Sequence, residues 1–432
     1  MLNQPMHILQ INTMDIGGGA EKVAWNLFQA YRAQGHHSQL AVGYKRSDDK
    51  DIFLVPNDDC RIAQSRTWPT AGDSQTVEAN RNFNIWRGYE DFDFPGTSKL
   101  LDRIEKLPDV IHCHNLHGDY FDLRVLPWLS QQAPVFLTLH DAWLLSGHCA
   151  HSFDCERWKT GCGKCPDLTI YPAVTRDASA YNWQRKKKIF SKSRLYVATP
   201  SRWLMDKVKQ SVLAPSIAEA KVIPNGVDLS IFKPADKQVV RFALGIPQDA
   251  IVLLFTANGI QRNIFKDYKT MRAAVASVAE NIHERKLLFI ALGAEAPTER
   301  FGKTEVQFIP YQKDPGVIAR YYQAADIYIH ASHAEVWGLS VTEALTCGTP
   351  VIATSVGGIP DQVKDGATGF LTPPGDAEMM GARIVQLIAD EGLRQRMGQK
   401  AAEDAMRRFD IKRMAAEYLG WYQEILKTWK KI

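Results

Sequence analysis

The order of apolar runs along the chain predicts an α/β protein of two doubly wound, Rossmann-like domains. Short β-branched or leucine-rich runs alternate with helical stretches, which implies a parallel sheet covered by helices on both faces. The alternation then restarts after a turn, and twisted open sheets rarely exceed about 10 strands, so two sheets fit better than one. Length agrees: 432 residues are about three times a ~150-residue domain.

In the first series, residues 7–11, 39–42, 110–111, 135–139 and 195–198 read as buried strands bounded by Gly, Pro or polar residues. A helix over 20–33 separates the first two. The second series is 251–255, 287–291, 306–309, 326–329 and 351–353, with helices over 268–280, 316–324 and 339–346. The junction lies within 204–233, where Pro224-Asn225-Gly226 marks a turn. Met414, Tyr418, Tyr422, Ile425 and Trp429 recur at helical spacing near the C-terminus. Residues 45–84 read as loop with short elements, and 147–172 as an irregular insertion.

Composition excludes several classes. Apolar residues are 45% and charged residues 23%, which is globular rather than disordered. The 52 Lys and Arg against 48 Asp and Glu leave +4, too little to argue for a nucleic-acid partner. Apolar runs such as 251–255 fall far short of the ~18 residues a membrane span needs. Residues 1–10 show no cationic start before an apolar run, so the expectation is a cytoplasmic protein.

Several residue groups point to chemistry. Gly18 and Gly19, between a strand and a helix, let the backbone approach an anion at the helix start; the bland reading is a tight turn. His140, at a strand's carboxyl end, stands where open α/β sheets bind ligands; a lone His is also often structural. Asp141 would orient its ring or cap the next segment. Glu335 and Glu343 flank Gly338, and ionised carboxylates accept hydrogen bonds from sugar hydroxyls; the alternative is two solvated acids at a helix start. Lys266 and Arg262 follow the strand 251–255, where cations neutralise a diphosphate or simply coat a surface loop.

Two further groups stand apart. Arg185, Lys186, Lys187, Lys188, Lys192 and Arg194, interleaved with Trp183, Ile189 and Phe190, fit an anionic membrane surface or a solvated helix face. Seven cysteines are too few and too odd for a disulfide scaffold. Four of them cluster, and Cys162-Gly163-Lys164-Cys165 has the spacing of a zinc half-site. With Cys149 and Cys155 it reads as a closed structural zinc site, with His148 and His151 as replacement ligands; disulfides or free thiols are the alternatives.

Gly18-Gly19-Ala20-Glu21, Pro200-Ser201, Asn225-Gly226-Val227-Asp228 and the run EVWGLSVTEALTCGTPVIATSVGGIP over 335–360 occur in that order. Together they resemble the retaining glycosyltransferases of family 4, which have the GT-B fold. The resemblance spans nearly the whole chain and rests most firmly on the last run. The segment 140–165, with Trp158-Lys159-Thr160-Gly161-Cys162, looks like a subset of the family that builds bacterial exopolysaccharides.

The resemblance implies two domains facing a cleft: an acceptor-side domain over 1–205, a donor domain over 206–410, and a last helix over 411–432 crossing back to the first. It implies a nucleotide-sugar donor, a glycan acceptor, lipid-linked in exopolysaccharide synthesis at the inner face of the membrane, and no catalytic metal. Gly18 and Gly19 would meet the donor diphosphate, with Lys266, and His140 the donor sugar. Glu335 would bind sugar hydroxyls, with the backbone of Trp337, Gly338 and Leu339 nearby. Glu343 would bind the ribose, and Tyr311 and Gln312 would border the base. The family commonly has Gly-Arg where this chain has Ala257-Asn258, and Lys-Gly where it has Lys266-Asp267, so Arg262 would have to supply the second cation. A GT-B epimerase or phosphorylase would share the architecture, and a nucleic-acid module built on the cysteines is the non-enzyme alternative.

Overall fold

The computed structural model describes residues 4–56, 75–256, 259, 263–282, 285–302 and 304–429. The chain divides into two compact units, Met1–Ile223 with Ala415–Ile432, and Pro224–Met414.

The first unit holds a seven-stranded sheet of β1 (His7–Met14), β2 (His37–Tyr44), β3 (Ile52–Leu54), β4 (Val110–Cys113), β5 (Val135–Thr138), β6 (Leu195–Thr199) and β7 (Ile217–Val222), ordered β3-β2-β1-β4-β5-β6-β7. All neighbouring strands are parallel. β4, β5 and β6 are buried at every residue, because helices cover both faces; this is why they read as unbroken apolar runs. β7, IAEAKV, alternates half-buried and exposed residues at the sheet edge, so no apolar run announces it. That strand corrects the expected division at 205/206. Residues 206–223 complete the helix Arg202–Lys209 and add β7 to the first sheet, so the division falls at Ile223/Pro224.

The helix Gly19–Ala33 buries Val23, Ala24, Leu27, Phe28 and Tyr31. The C-terminal helix Ile411–Thr428 belongs mostly to this unit and buries Tyr418, Trp421, Tyr422 and Ile425. Tyr422 Oη bonds His112 Nδ1 at 2.7 Å and Tyr31 Oη at 3.0 Å; Tyr418 Oη bonds Thr138 Oγ1 at 2.6 Å. The basic helix Ser179–Phe190 corrects another expectation. Its Trp183, Ile189 and Phe190 are core residues, and Lys186 is fully buried. Its apolar face is therefore spent inside the protein, and Lys187, Lys188, Lys192 and Arg194 remain exposed.

The second unit repeats the plan with β8 (Ile251–Thr256), β9 (Leu287–Leu292), β10 (Glu299–Phe301), β11 (Thr304–Ile309), β12 (Ile327–His330), β13 (Val351–Thr354) and β14 (Gly369–Thr372), ordered β10-β11-β9-β8-β12-β13-β14. Only the β10–β11 pairing is antiparallel among these described strands. The three-residue β10 and the Gly-led β14 are too short to show a period in sequence. In each sheet the strand order reverses once near the middle, between β1 and β4 and between β8 and β12. Loops leave in opposite directions there, which opens a crevice beyond the strand ends.

Candidate active site

Each unit places a polar cluster at its own switch point. In the second unit, β12 ends at His330 and β8 at Thr256. Beyond β12, Asp267 N–H donates to Ala331 O at 3.0 Å and His333 N–H to Phe265 O at 2.9 Å. This short pairing sets Lys266 beside Ser332. Lys266 Nζ donates to Glu335 Oε2 at 2.5 Å and lies 3.4 Å from both Ser332 Oγ and His330 Nε2. His330 Nε2 is 3.4 Å from the same carboxylate oxygen.

Burial opposes ionisation of Glu335, but the Lys266 ammonium and His330 outweigh it and hold the carboxyl at about 2. Burial, reinforced by Lys266, drives His330 down to about 4, so its imidazole is neutral at pH 7. The sequence reading gave Lys266 and Glu335 separate duties; here they form one ion pair. It also missed His330, whose only signal is its position as the last residue of a buried strand.

A hydrogen-bonded chain joins this pair to the second glutamate. Tyr328 Oη is 3.4 Å from His330 Nδ1 and 2.9 Å from Thr256 Oγ1. Thr256 Oγ1 is 3.0 Å from Tyr322 Oη, which donates to Glu343 Oε2 at 3.0 Å. Glu343 lies in the helix Leu339–Thr346 and is 5% exposed, so the solvated-acid alternative does not apply to it.

The loop carrying Glu335 is held by backbone. Gly358 N–H donates to Glu335 O at 2.9 Å. Gly357 has φ of 54°, and a Cβ there would fall 1.8 Å from Glu335 O, so only glycine fits. Gly338 is the N-cap, and its N–H donates to Gln362 Oε1 at 3.0 Å while its carbonyl accepts from Gln362 Nε2 at 2.8 Å. That N–H, expected to face the donor, is thus already engaged, and Gln362 is a residue the sequence reading missed. Trp337 packs its ring on Phe409, and Leu339 opens the helix half-buried. The Lys266-Asp267 departure has a structural cause: Asp267 caps the helix Tyr268–Asn281, accepting from Thr270 N–H at 3.0 Å. Tyr311 is exposed and Gln312 donates to Pro310 O at 2.9 Å in the loop after β11, outside these hydrogen-bonded networks. Arg262, with Ala257 and Asn258, lies outside the described residues.

In the first unit the cluster is built of histidines. His112 and His114 flank the end of β4, and His140 follows β5. His114 Nδ1 is 3.0 Å from His140 Nε2 with the rings stacked, and His114 Nε2 meets the Gln10 amide at 3.0 Å. With its nitrogen toward His114, Gln10 also accepts from Phe28 N–H at 3.1 Å. In that orientation Gln10 donates to His114 Nε2, His114 Nδ1–H donates to His140 Nε2, and the His140 proton sits on Nδ1. Burial holds all three rings neutral, His112 at about 3, His140 at about 4, and His114 well below its usual value. Asp141 does not orient His140. It pairs with His117 at 2.7 Å and caps Trp143 N–H at 2.8 Å. The sequence reading missed His112, His114 and His117, although HCHNLH right after a buried run is a signal.

Gly18 is the N-cap of the helix Gly19–Ala33, with no side chain capping it. Asp15 accepts from Arg46 N–H at 2.9 Å and Ser47 N–H at 2.8 Å, which ties the glycine turn to the end of β2. Cys149, Cys155, Cys162 and Cys165 carry free thiols. No described helix is long and apolar enough to cross a membrane.

Comparison with known proteins gives a consistent picture. Residues 17–231 match the family described as "Glycosyltransferase Family 4", and residues 236–404 match "Glycosyl transferases group 1". A chain named for colanic acid biosynthesis, glycosyl transferase WcaC of Escherichia coli (strain K12), is 26% identical over 97% of this chain and 100% of its own. The D-inositol 3-phosphate glycosyltransferase of Kribbella flavida is 35% identical over 44% of this chain and 47% of its own. Among solved structures, Anabaena HepE in complex with UDP and glucose aligns with a TM-score of 0.65 at 18% identity, over 98% of this chain and 100% of that one. Sucrose-phosphate synthase of Thermosynechococcus elongatus aligns at 0.63 and 18%, over 99% and 100%. At that identity the two structures speak to the fold alone.

Proposed function

Because the chain is a glycosyltransferase of family 4 with the GT-B fold, we propose that it moves a sugar from a nucleotide-sugar donor to an acceptor hydroxyl with retention at the anomeric carbon. The observation that carries this reading is the Lys266–Glu335–His330 cluster at the β8/β12 switch point. Departure of a nucleoside diphosphate develops negative charge, and a preorganised ammonium is the group that meets it. Lys266 turns from Glu335 toward that charge, and Arg262 is its proposed second cation. Glu335, ionised and relieved of Lys266, accepts hydrogen bonds from sugar hydroxyls.

In this reading the C–O bond to the diphosphate breaks as the acceptor oxygen attacks the same face. The acceptor proton passes to a phosphate oxygen of the leaving group. Glu335 forms no covalent bond, and no catalytic metal is called for. Glu343 remains the proposed ribose contact, and Tyr311 and Gln312 the border of the base. In the first unit, Gly18 and Gly19 offer helix-start N–H groups to an anion, and His140 offers a neutral Nδ1–H donor.

WcaC's name supports a place in surface-glycan synthesis, with a lipid-linked acceptor at the inner face of the membrane. The exposed Lys187, Lys188, Lys192 and Arg194 would add an electrostatic contact with anionic lipid. Equal sedimentation with neutral and anionic vesicles would remove that contact from the reading. The decisive experiment supplies UDP-, GDP- and ADP-sugars with a glycan acceptor, and measures nucleoside diphosphate release and the anomeric configuration of the product. Release with retention is expected; an inverted product would overturn the mechanism.

A further inference from the structure

The reaction leaves unused the segment that folds without regular structure. Residues 147–172 contain one three-residue helical turn, Arg157–Lys159, and bury only Ala150 and Trp158 among their apolar side chains. Such a segment does not order itself by hydrophobic burial. Its backbone is nonetheless tightly specified. Gly161, Cys162, Gly163 and Lys164 take consecutive positive φ values of 136°, 55°, 86° and 47°. Two of the four are not glycines, and such a run persists where the surroundings over-determine it.

The stretch just before Cys149 lies against this turn. Gly147 N–H donates to Cys162 Sγ at 3.3 Å. His148 Nε2 is 3.3 Å from Cys165 Sγ, while His148 Nδ1 bonds Pro172 O at 3.0 Å. With Nδ1–H donating to the carbonyl, neutral His148 presents an unprotonated Nε2 that accepts from the Cys165 thiol. As the side chains lie, no three His, Cys, Asp or Glu groups among the described residues are close enough to share an ion.

We propose that Cys149, Cys155, Cys162 and Cys165 bind one zinc ion in a closed structural site. Each S–H bond is replaced by S–Zn, and its proton goes to solvent. Soft sulfur donors favour zinc over the hard divalent cations, and four protein ligands leave no open position for catalysis. The Lys186 ammonium is fully buried and pairs with Glu90 at 3.0 Å. Lys186 also donates to Trp143 O and Ser146 O, so the ion would brace the loop that follows His140.

The test is metal analysis of the tag-free, full-length wild-type protein, with thiols counted under denaturation before and after chelation. About one equivalent of zinc per chain, with four thiols becoming reactive only on chelation, is expected. Cys162→Ser and Cys165→Ser should each bind zinc at least about tenfold more weakly. Where a variant fails to fold, displacement of zinc from the wild type by a mercurial, followed with a metal-sensitive dye, gives the same reading. Less than about a tenth of an equivalent, with all seven thiols free, overturns the site. Fewer free thiols without metal overturns it in favour of disulfides.

Discussion

At the switch point of the first sheet, His112, His114 and His140 are all neutral; both nitrogens of His112 and His114 and Nε2 of His140 are hydrogen-bonded, to Thr138, Tyr422, Gln10 or one another. At that of the second, an ammonium, a carboxylate and a neutral imidazole meet within 3.4 Å. The strand plans are nearly the same, so topology alone does not decide what chemistry the crevice carries. Buried imidazoles avoid the cost of desolvating a charge by giving up their protons. The Lys266–Glu335 pair keeps its charges, and each depends on the other to do so. The first unit's interior charge sits instead around the His140 loop, where Asp141 pairs with His117 at 2.7 Å and Lys186 with Glu90 at 3.0 Å.

That last pair gives the largest expected effect. Lys186→Met should cost the first unit about 3–5 kcal/mol in urea unfolding, because Glu90 is left buried and uncompensated. Glu90→Gln in the same chain should recover part of the loss. If the single variant unfolds like wild type, the pair is not the first unit's charged anchor.

Lys266→Ala should lower kcat/KM by about 100-fold, the scale of removing one preorganised group from developing charge. Glu335→Ala should lower it at least about tenfold, as expected for a lost charged hydrogen bond worth about 1.5–3 kcal/mol. Its folding should change less than its turnover. A Glu335→Ala enzyme with unaltered kcat/KM would break the assignment, and with it the contrast between a charged and a neutral crevice.

Acid should separate the units more gently. The three first-unit histidines have folded values below the unfolded one, so the unfolded chain binds more protons between the two. Their stabilisation is complete above the ordinary imidazole range and fades as pH falls toward about 4. His117, raised by Asp141 against the effect of burial, offsets one of them. Glu335, depressed to about 2, keeps its contribution until the pH falls below the ordinary carboxyl range, and His330, held at about 4, gives the second unit one such ring against the first unit's three. Hydrogen exchange between pH 7 and 5 should show β4 and β5 losing protection before β12; simultaneous loss would contradict the picture. The smallest effect is expected for Gln362→Ala, about 1 kcal/mol of stability per lost bond to Gly338 and a few-fold in turnover.

Much of this was legible beforehand, for identifiable reasons. Apolar runs leave a record in the sequence, and ten strands could be read from it directly. β7 could not, because an edge strand needs no such run, and that one element moved the boundary. Glu335 and Lys266 stood out because of their place after strands and the motif around Glu335. Their pairing did not, since it depends on the Asn263–Asp267 segment lying against Ala331–His333. The basic helix misled for the opposite reason: charge shows in a sequence, but which face is buried does not, and Lys186 lies on the buried one.

The C-terminal helix carries a consequence for how the chain is made. Tyr418 and Tyr422 complete the hydrogen bonds of Thr138 and His112, residues translated some three hundred positions earlier. The second unit, Pro224–Met414, is contiguous in sequence and contains all its own strands. Domains fold as their segments emerge from the ribosome. The unit begun first is therefore the one finished last: the first sheet waits for residues 415–428 before Thr138 and His112 gain their tyrosine partners.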